Sequence, residues 1–369
     1  MMINVLVVED SAVVRELLVR LLGSDPEIRV LGTAQNGEEA LEFIRVKKPD
    51  VITMDINMPR MNGFEATRRI METTPTPIVV VSGSWAAEEV ARTFRALEAG
   101  ALAAVSRPVG PGHPNHESQA KELVNTVKLM SEVKVVRRWP RTAPESRMAA
   151  DRSTAPAVPE GTVEAQVVAM GASTGGPVAL HTILSRLNHG FPVPLLVVQH
   201  MAPGFIHGFV EWMAQSSAVP VKVAGPGEWL RPGQAYVAPD GFQMGVTREG
   251  RIALLQAQPE NGLRPSVSYL FRSVAAVFGQ KTVAVLLSGM GADGAAELKI
   301  LKDQGAVTLV QNQESSVVFG MPGEAVGLGA ATYVLPPEGI ADRLIALASR
   351  RDGKKIQTRA DEEQKGERK

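Results

Sequence analysis

Short apolar runs alternate with amphipathic stretches along most of this 369-residue chain, and few folds accept that rhythm. A strand buried on both faces reads as an unbroken apolar run, and a helix packed over it carries apolar residues at spacings of three and four. The runs Ile3–Val8, Val30–Ala34, Val51–Met54, Ile78–Val81 and Leu102–Val105 lie in the first third. Between the first two, Ala12–Leu22 has apolar residues at 13, 14, 17, 18 and 21, one face of a helix. Past residue 160 the rhythm resumes with Gln166–Met170, Leu195–Gln199, Ala235–Ala238, Ile252–Leu255, Val283–Leu287 and Ala306–Val310. Strands alternating with helices predict parallel sheets with right-handed crossovers, hence an α/β chain with two doubly wound parallel-sheet domains. Such sheets carry their functional groups at the carboxyl ends of the strands.

The segment Pro140–Glu160 breaks the rhythm. It holds four prolines, five alanines and no Ile, Leu or Phe, so it can bury little and reads as a linker. The last twenty residues carry thirteen charged side chains of mixed sign and read as a solvated tail. The expected division is a first domain over 1–130, a linker over 131–161, a second domain over 162–350 and a charged tail over 351–369. Thirty-nine basic and thirty-nine acidic residues cancel, so nothing in the balance points to nucleic acid or an anionic membrane as partner. Cysteine is absent, which excludes a disulfide framework, a thiol nucleophile and a thiolate zinc site. No apolar run approaches the roughly 18 residues of a membrane span, and Met1–Asp10 lacks the pattern of a signal peptide. The expectation is a cytoplasmic protein.

In the first domain Glu9 and Asp10 directly follow one strand and Asp55 follows another, so three carboxylates are expected at one sheet edge. Close carboxylates repel unless a cation neutralises them, and a few hard oxygen ligands suit Mg²⁺. The alternative is strand-end acids solvated in loops. The run Val8-Glu-Asp-Ser11, Met54-Asp-Ile-Asn-Met-Pro-Arg-Met-Asn-Gly63 and Val79-Val-Val-Ser-Gly83 together resemble a response-regulator receiver domain over residues 2–130. The resemblance implies a flavodoxin-type fold, Asp55 as phosphoacceptor, and Mg²⁺ held by Glu9, Asp10, Asp55 and the carbonyl of Asn57. It also implies Ser82 as the hydroxyl that reorients toward the phosphoryl group. Two positions depart from the family: Arg107 stands where receivers carry Lys, and Ala104 where they usually carry an aromatic residue. Arginine still pairs with phosphate, with a longer and planar fork.

In the second domain Gly171-Ala-Ser-Thr-Gly175 is a G-x-S-x-G pattern after a strand. Glycines permit a tight turn that raises a serine above the sheet, and the helix N-terminus behind it favours developing negative charge. The alternative is a loop that binds phosphate or merely turns. Among six histidines, His200 alone directly follows a predicted strand of this domain, Leu195–Gln199, which makes it the candidate base. Asp293, in the Gly-rich loop after Val283–Leu287, is the candidate to orient it; the alternative is a helix N-cap.

Five ordered blocks resemble the catalytic domain of CheB-type chemotaxis methylesterases: Gly171-Ala-Ser-Thr-Gly-Gly-Pro177, Val198-Gln-His-Met201 with Pro203-Gly-Phe205, Arg264-Pro-Ser266 with Leu270-Phe-Arg272, Leu287–Gly294, and Val318-Phe-Gly-Met-Pro-Gly323. The resemblance implies a Rossmann-like domain with Ser173 as nucleophile, His200 as base and acid, Asp293 as orienter, and an oxyanion site at the Thr174 and Met290 amides. No cofactor is implied for the hydrolysis. The implied substrate is the glutamyl methyl ester on cytoplasmic helices of chemoreceptors, with deamidation of receptor glutamines by the same chemistry. A histidine kinase is the implied phosphodonor. The competing readings are a receiver-containing regulatory or scaffold protein, and an esterase that its receiver does not gate.

Overall fold

The computed structural model describes residues 2–83, 87–133, 135 and 165–348; the expected tail and most of the expected linker lie outside them. The first body runs β1 (Ile3–Val8), α1 (Ala12–Gly23), β2 (Ile28–Ala34), α2 (Gly37–Val46), β3 (Val51–Met54), α3 (Gly63–Thr73), β4 (Ile78–Ser82), α4 (Ala87–Ala99), β5 (Ala103–Ser106) and α5 (His116–Ser131). Its strands pair in parallel in the order β2-β1-β3-β4-β5. β3 and β4 are buried at every residue, as apolar runs covered by helices on both faces must be. The chain order reverses across β1, and a parallel sheet opens a crevice at the carboxyl ends there.

The second body continues with β6 (Val167–Ala172), α6 (Gly176–Arg186), β7 (Leu195–Gln199), α7 (Ile206–Ala214), β8 (Val221–Val223), β9 (Ala235–Val237), β10 (Gln243–Val246), β11 (Ile252–Leu255), α8 (Val267–Phe278), β12 (Thr282–Leu286), α9 (Ala295–Asp303), β13 (Val307–Gln311), α10 (Met321–Gly327) and β14 (Tyr333–Leu335), then a helix over 337–348. The sheet order is β14-β13-β12-β6-β7-β9-β8, all parallel. Here the order reverses across β6. The fold is therefore α/β with two doubly wound parallel sheets. One strand departs from expectation: Ile252–Leu255 pairs antiparallel with β10 in a separate hairpin. Its polar-flanked, four-residue run does not reveal which sheet it joins. No described helix is long and apolar enough to cross a membrane.

The two bodies meet along α4 and α7. Phe94 of α4 stacks on Trp212 of α7 with centroids 5.0 Å apart and tilts against Phe209 at 5.4 Å. Trp212 in turn stacks on His181 of α6 at 4.6 Å. The His181 Nε2 lies 3.5 Å from the Glu98 carboxylate of α4. One apolar cluster runs through this contact, joining Ile78, Val80 and Phe94 of the first body to Val168, Phe209 and Trp212 of the second.

Candidate active site

The register of two strands brings a serine and a histidine to one level. Ala172 of β6 is the register partner of Gln199 of β7, so Ser173 and His200 are the first residues beyond a matched pair. The His200 amide donates to the Ala172 carbonyl at 2.9 Å, and buried Gln199 donates to the carbonyls of both Ser173 (2.9 Å) and His200 (2.8 Å). That single side chain ties the two strand exits together. Asp293 arrives from the loop after β12, the neighbour of β6 on its other side. Its Oδ2 lies 2.9 Å from His200 Nε2. Ser173 and His200 line one cavity. Among the described residues no hydrogen bond joins the Ser173 hydroxyl to the His200 ring. With Nε2 engaged by Asp293, Nδ1 is the ring nitrogen left for the serine proton, and such contacts commonly tighten only when substrate arrives.

Asp293 does not cap the helix that follows it, where Gly294 is the N-cap residue. It instead meets the first turn of α8, accepting from the Val267 amide (2.6 Å), the Ser268 amide (3.0 Å) and the Ser266 hydroxyl (2.9 Å). Burial by itself would raise this carboxyl, but the hydrogen bond and charge of His200, with the donors of Ser268, hold it well below the usual carboxylate range. The side chain is thus a fixed anion at the foot of the imidazole.

The backbone amides around Ser173 differ in how they are engaged. The Ser173 amide is engaged with the Ser288 carbonyl at 3.0 Å. The amides of Thr174 and Met290 make no hydrogen bond among the described residues. Thr174 is held by its carbonyl, which accepts from the Ser288 hydroxyl at 2.6 Å. The loop bearing Met290 is pinned through Gly289, whose carbonyl accepts from the amides of Gly320 (3.1 Å) and Met321 (2.8 Å). Gly289 is required there, since a Cβ would stand 2.3 Å from the Met321 sulfur and 2.7 Å from the Ser173 Cβ.

The receiver pocket is built the same way. Val8 of β1 and Met54 of β3 are register partners, so Glu9 and Asp55 leave the sheet side by side. Oxygens of Glu9, Asp10 and Asp55 come within 4.8 Å of one another. Arg107 reaches in from the end of β5, its Nη2 3.1 Å from Asp55 Oδ1 and 3.3 Å from Glu9 Oε2. The guanidinium packs against Gly83, where a Cβ would come within 2.7 Å of it. Burial first, and then the charge of Asp55, push the Glu9 carboxyl up to about 7, with Arg107 pulling the other way. Ser82 lies beside this group as the register partner of Ser106, and its carbonyl accepts from the Arg107 amide at 2.7 Å. The Asn57 side chain accepts from Arg92 Nη1, 2.9 Å away.

Between the two bodies lies a cavity of about 460 Å³. Ser173, His200 and Phe205 form one wall, and Phe94, Leu97 and Ala104 of the receiver form the other.

Residues 168–344 match the CheB methylesterase family, and residues 5–114 match the response regulator receiver domain. The protein-glutamate methylesterase/protein-glutamine glutaminase 4 of Geobacter metallireducens is 59% identical over 351 residues, covering 94% of this chain and 99% of that protein. The chain belongs to the CheB methylesterase family. A second relative, the protein-glutamate methylesterase/protein-glutamine glutaminase 1 of Syntrophus aciditrophicus, is 57% identical over 347 residues, covering 94% of this chain and 99% of that protein. The crystal structure of the Thermotoga maritima CheB methylesterase catalytic domain matches 50% of this chain and all of its own, at 38% identity and a TM-score of 0.49.

Several side chains of this CheB-family site were missed in the reading of the sequence. Gln199, Gln243 and Gln311 are buried and hold strand-end loops: Gln199 as above, Gln243 through the Ser266 amide at 2.8 Å, Gln311 through the Ser288 amide at 2.8 Å. For Gln199 and Gln311 the available signal was an amide side chain closing an otherwise apolar strand, since a buried amide needs partners.

Proposed function

We propose that this chain hydrolyses glutamyl methyl esters on the cytoplasmic helices of chemoreceptors, in chemotaxis adaptation, under control of phosphorylation at Asp55. One observation carries the hydrolytic reading: Ser173 and His200 leave register-matched strands with Asp293 hydrogen-bonded to the imidazole at 2.9 Å. In this reading Ser173 Oγ attacks the ester carbonyl while His200 takes its proton. The oxyanion is received by the amides of Thr174 and Met290. His200 passes the proton to the departing methoxide, which leaves as methanol, and Asp293 stabilises the imidazolium in between. Water, deprotonated by His200, then attacks the glutamyl-serine ester; the serine recovers its proton and a free glutamate side chain remains. A glutamine side chain entering the same site loses ammonia in place of methanol.

Glu9, Asp10 and Asp55 fit a divalent cation, because three converging hard oxygen donors with one arginine leave excess negative charge. Bound Mg²⁺ would offset the charge of an incoming phosphoryl group. Asp55 accepts that group from a histidine kinase, Arg107 pairs with it, and the Ser82 hydroxyl turns toward it. The receiver wall opposite Ser173 and His200 supports a closed form in which receptor helices are shut out. Phosphorylation then favours the open form by binding the two forms unequally. The site's chemistry and the absence of a membrane-crossing helix among the described residues suit a cytoplasmic enzyme.

The deciding experiment measures methanol release from methylated receptor membranes. Ser173→Ala is expected to lower the rate by at least about 10³-fold, in keeping with loss of an activated nucleophile, with an unchanged melting transition. Release at the wild-type rate would remove Ser173 as nucleophile.

A further inference from the structure

The Arg264-Pro-Ser266 block has no part in the hydrolytic chemistry above, yet it ends on a serine with no solvent exposure. Ser266 is engaged at its amide and on both the donor and the acceptor side of its hydroxyl. Its amide donates to Gln243 Oε1 at 2.8 Å, its hydroxyl donates to Asp293 Oδ1 at 2.9 Å, and the same hydroxyl accepts from the Tyr269 amide at 3.3 Å. Gln243, itself fully buried, is fastened by its amide to the Leu263 carbonyl at 3.0 Å. Asp293 therefore receives two donors on each oxygen: Ser266 Oγ and the Ser268 amide on Oδ1, the Val267 amide and His200 on Oδ2. Four donors fill the acceptor sites of a carboxylate, and three of them come from the mouth of α8, where the helix dipole also favours an anion.

We infer that Ser266 is a positioning residue for the hydrolysis, fixing the rotation of Asp293 and sharing its charge between α8 and His200. The inference rests on the Ser173, His200 and Asp293 reading and adds to it a group that never touches substrate. Of the three α8 hydrogen bonds, the 2.9 Å one from Ser266 Oγ is made by a side chain, so a substitution removes it. Without its hydroxyl, Oδ1 keeps one partner, and more of the carboxylate charge is left for the imidazolium. Other charged groups around Asp293 are already matched. Glu297 of α9 accepts from Ser268 Oγ at 2.6 Å and from Arg272 of α8 at 2.8 Å, and Arg272 also pairs with Glu260.

The test compares Ser266→Gly and Ser266→Thr in the full chain. Glycine at an N-cap costs only a few tenths of a kcal/mol, so this variant removes the hydroxyl while sparing the helix; threonine restores it. For Ser266→Gly, kcat should fall about tenfold, the weight of one hydrogen bond to a charged group, with KM unchanged. The acid limb of the kcat profile should move to higher pH, because the imidazolium faces more of the carboxylate charge. Ser266→Thr should restore both. The His200 ring resonances, followed by NMR against pH in the same variants, should show the same upward move without recourse to turnover. A wild-type acid limb and a wild-type His200 titration in Ser266→Gly would overturn the inference, whatever happens to melting temperature. Activity surviving in Ser173→Ala would instead remove the hydrolytic reading itself, so the two failures are distinct.

Discussion

At the residue scale, the positions that matter are those where burial and charge disagree. Glu9 is buried among other carboxylates, and its carboxyl sits at about 7 against an ordinary 4.5. A folded state that binds a proton more tightly than the unfolded chain is stabilised by that proton. The contribution is complete below the unfolded value of 4.5 and lost as pH rises through about 7. In chelator-treated protein, melting temperature should therefore drop as pH is raised from 5 to 8, and Glu9→Gln should flatten that slope. A wild-type slope in Glu9→Gln would show that another group titrates. Asp293 has the opposite sign: its carboxyl is depressed, so its charge stabilises the fold at neutral pH and fails only in strong acid. The meeting of Ser173, His200 and Asp293 at one rim was legible because each directly follows, or lies in the loop just after, a strand of the parallel sheet. Ser266 was not legible, because its partner is 27 positions away and nothing local to either residue encodes the meeting of α8 with the loop after β12.

At the scale of elements, Leu195–Gln199 and Val51–Met54 were readable to the residue, since continuous apolar runs bounded by polar residues admit one interpretation. The three-residue strands β8 and β14 were not, being too short to show a period. Nor does sequence disclose that α4 packs on α7, because an amphipathic face names no partner. That contact sets a prediction. Phe94 is 3% exposed and faces two aromatic rings across the interface. Aromatic pairs contribute about 0.5–1.5 kcal/mol each beyond their buried area. Phe94→Ala should therefore weaken the closed form by roughly 2 kcal/mol and raise methanol release by up to about thirtyfold in the absence of a phosphodonor. A basal rate equal to that of wild type would mean that the α4 and α7 contact does not hold the enzyme shut.

At the scale of the whole molecule, the rim of the second sheet that bears Ser173 and His200 faces a receiver wall of Phe94, Leu97 and Ala104, and the question is whether one body governs the other. Acetyl phosphate should accelerate methanol release by the wild-type chain and leave Asp55→Asn at its basal rate. Equal rates in all four conditions would describe an esterase indifferent to its receiver. Arg107 and Ala104 bear on the size of the response. The arginine keeps a cation on Asp55 and Glu9, so charge pairing with a phosphoryl group is preserved. Ala104 lines the cavity wall with a methyl group where an aromatic ring would fill it, so in the proposed reading a small response to acetyl phosphate would point to this position.

The apolar cluster that continues from one body into the other has a consequence for the working enzyme. Parting the bodies uncovers Phe94, Phe209 and Trp212 together, and water does not welcome three aromatic rings laid bare. In the proposed reading the open enzyme is greasier than the closed one, and re-closure shortens its life unless a receptor helix covers the same rings. Phosphoryl group and receptor would then act on one wetting problem, the first unsealing the surface and the second setting how long it stays bare.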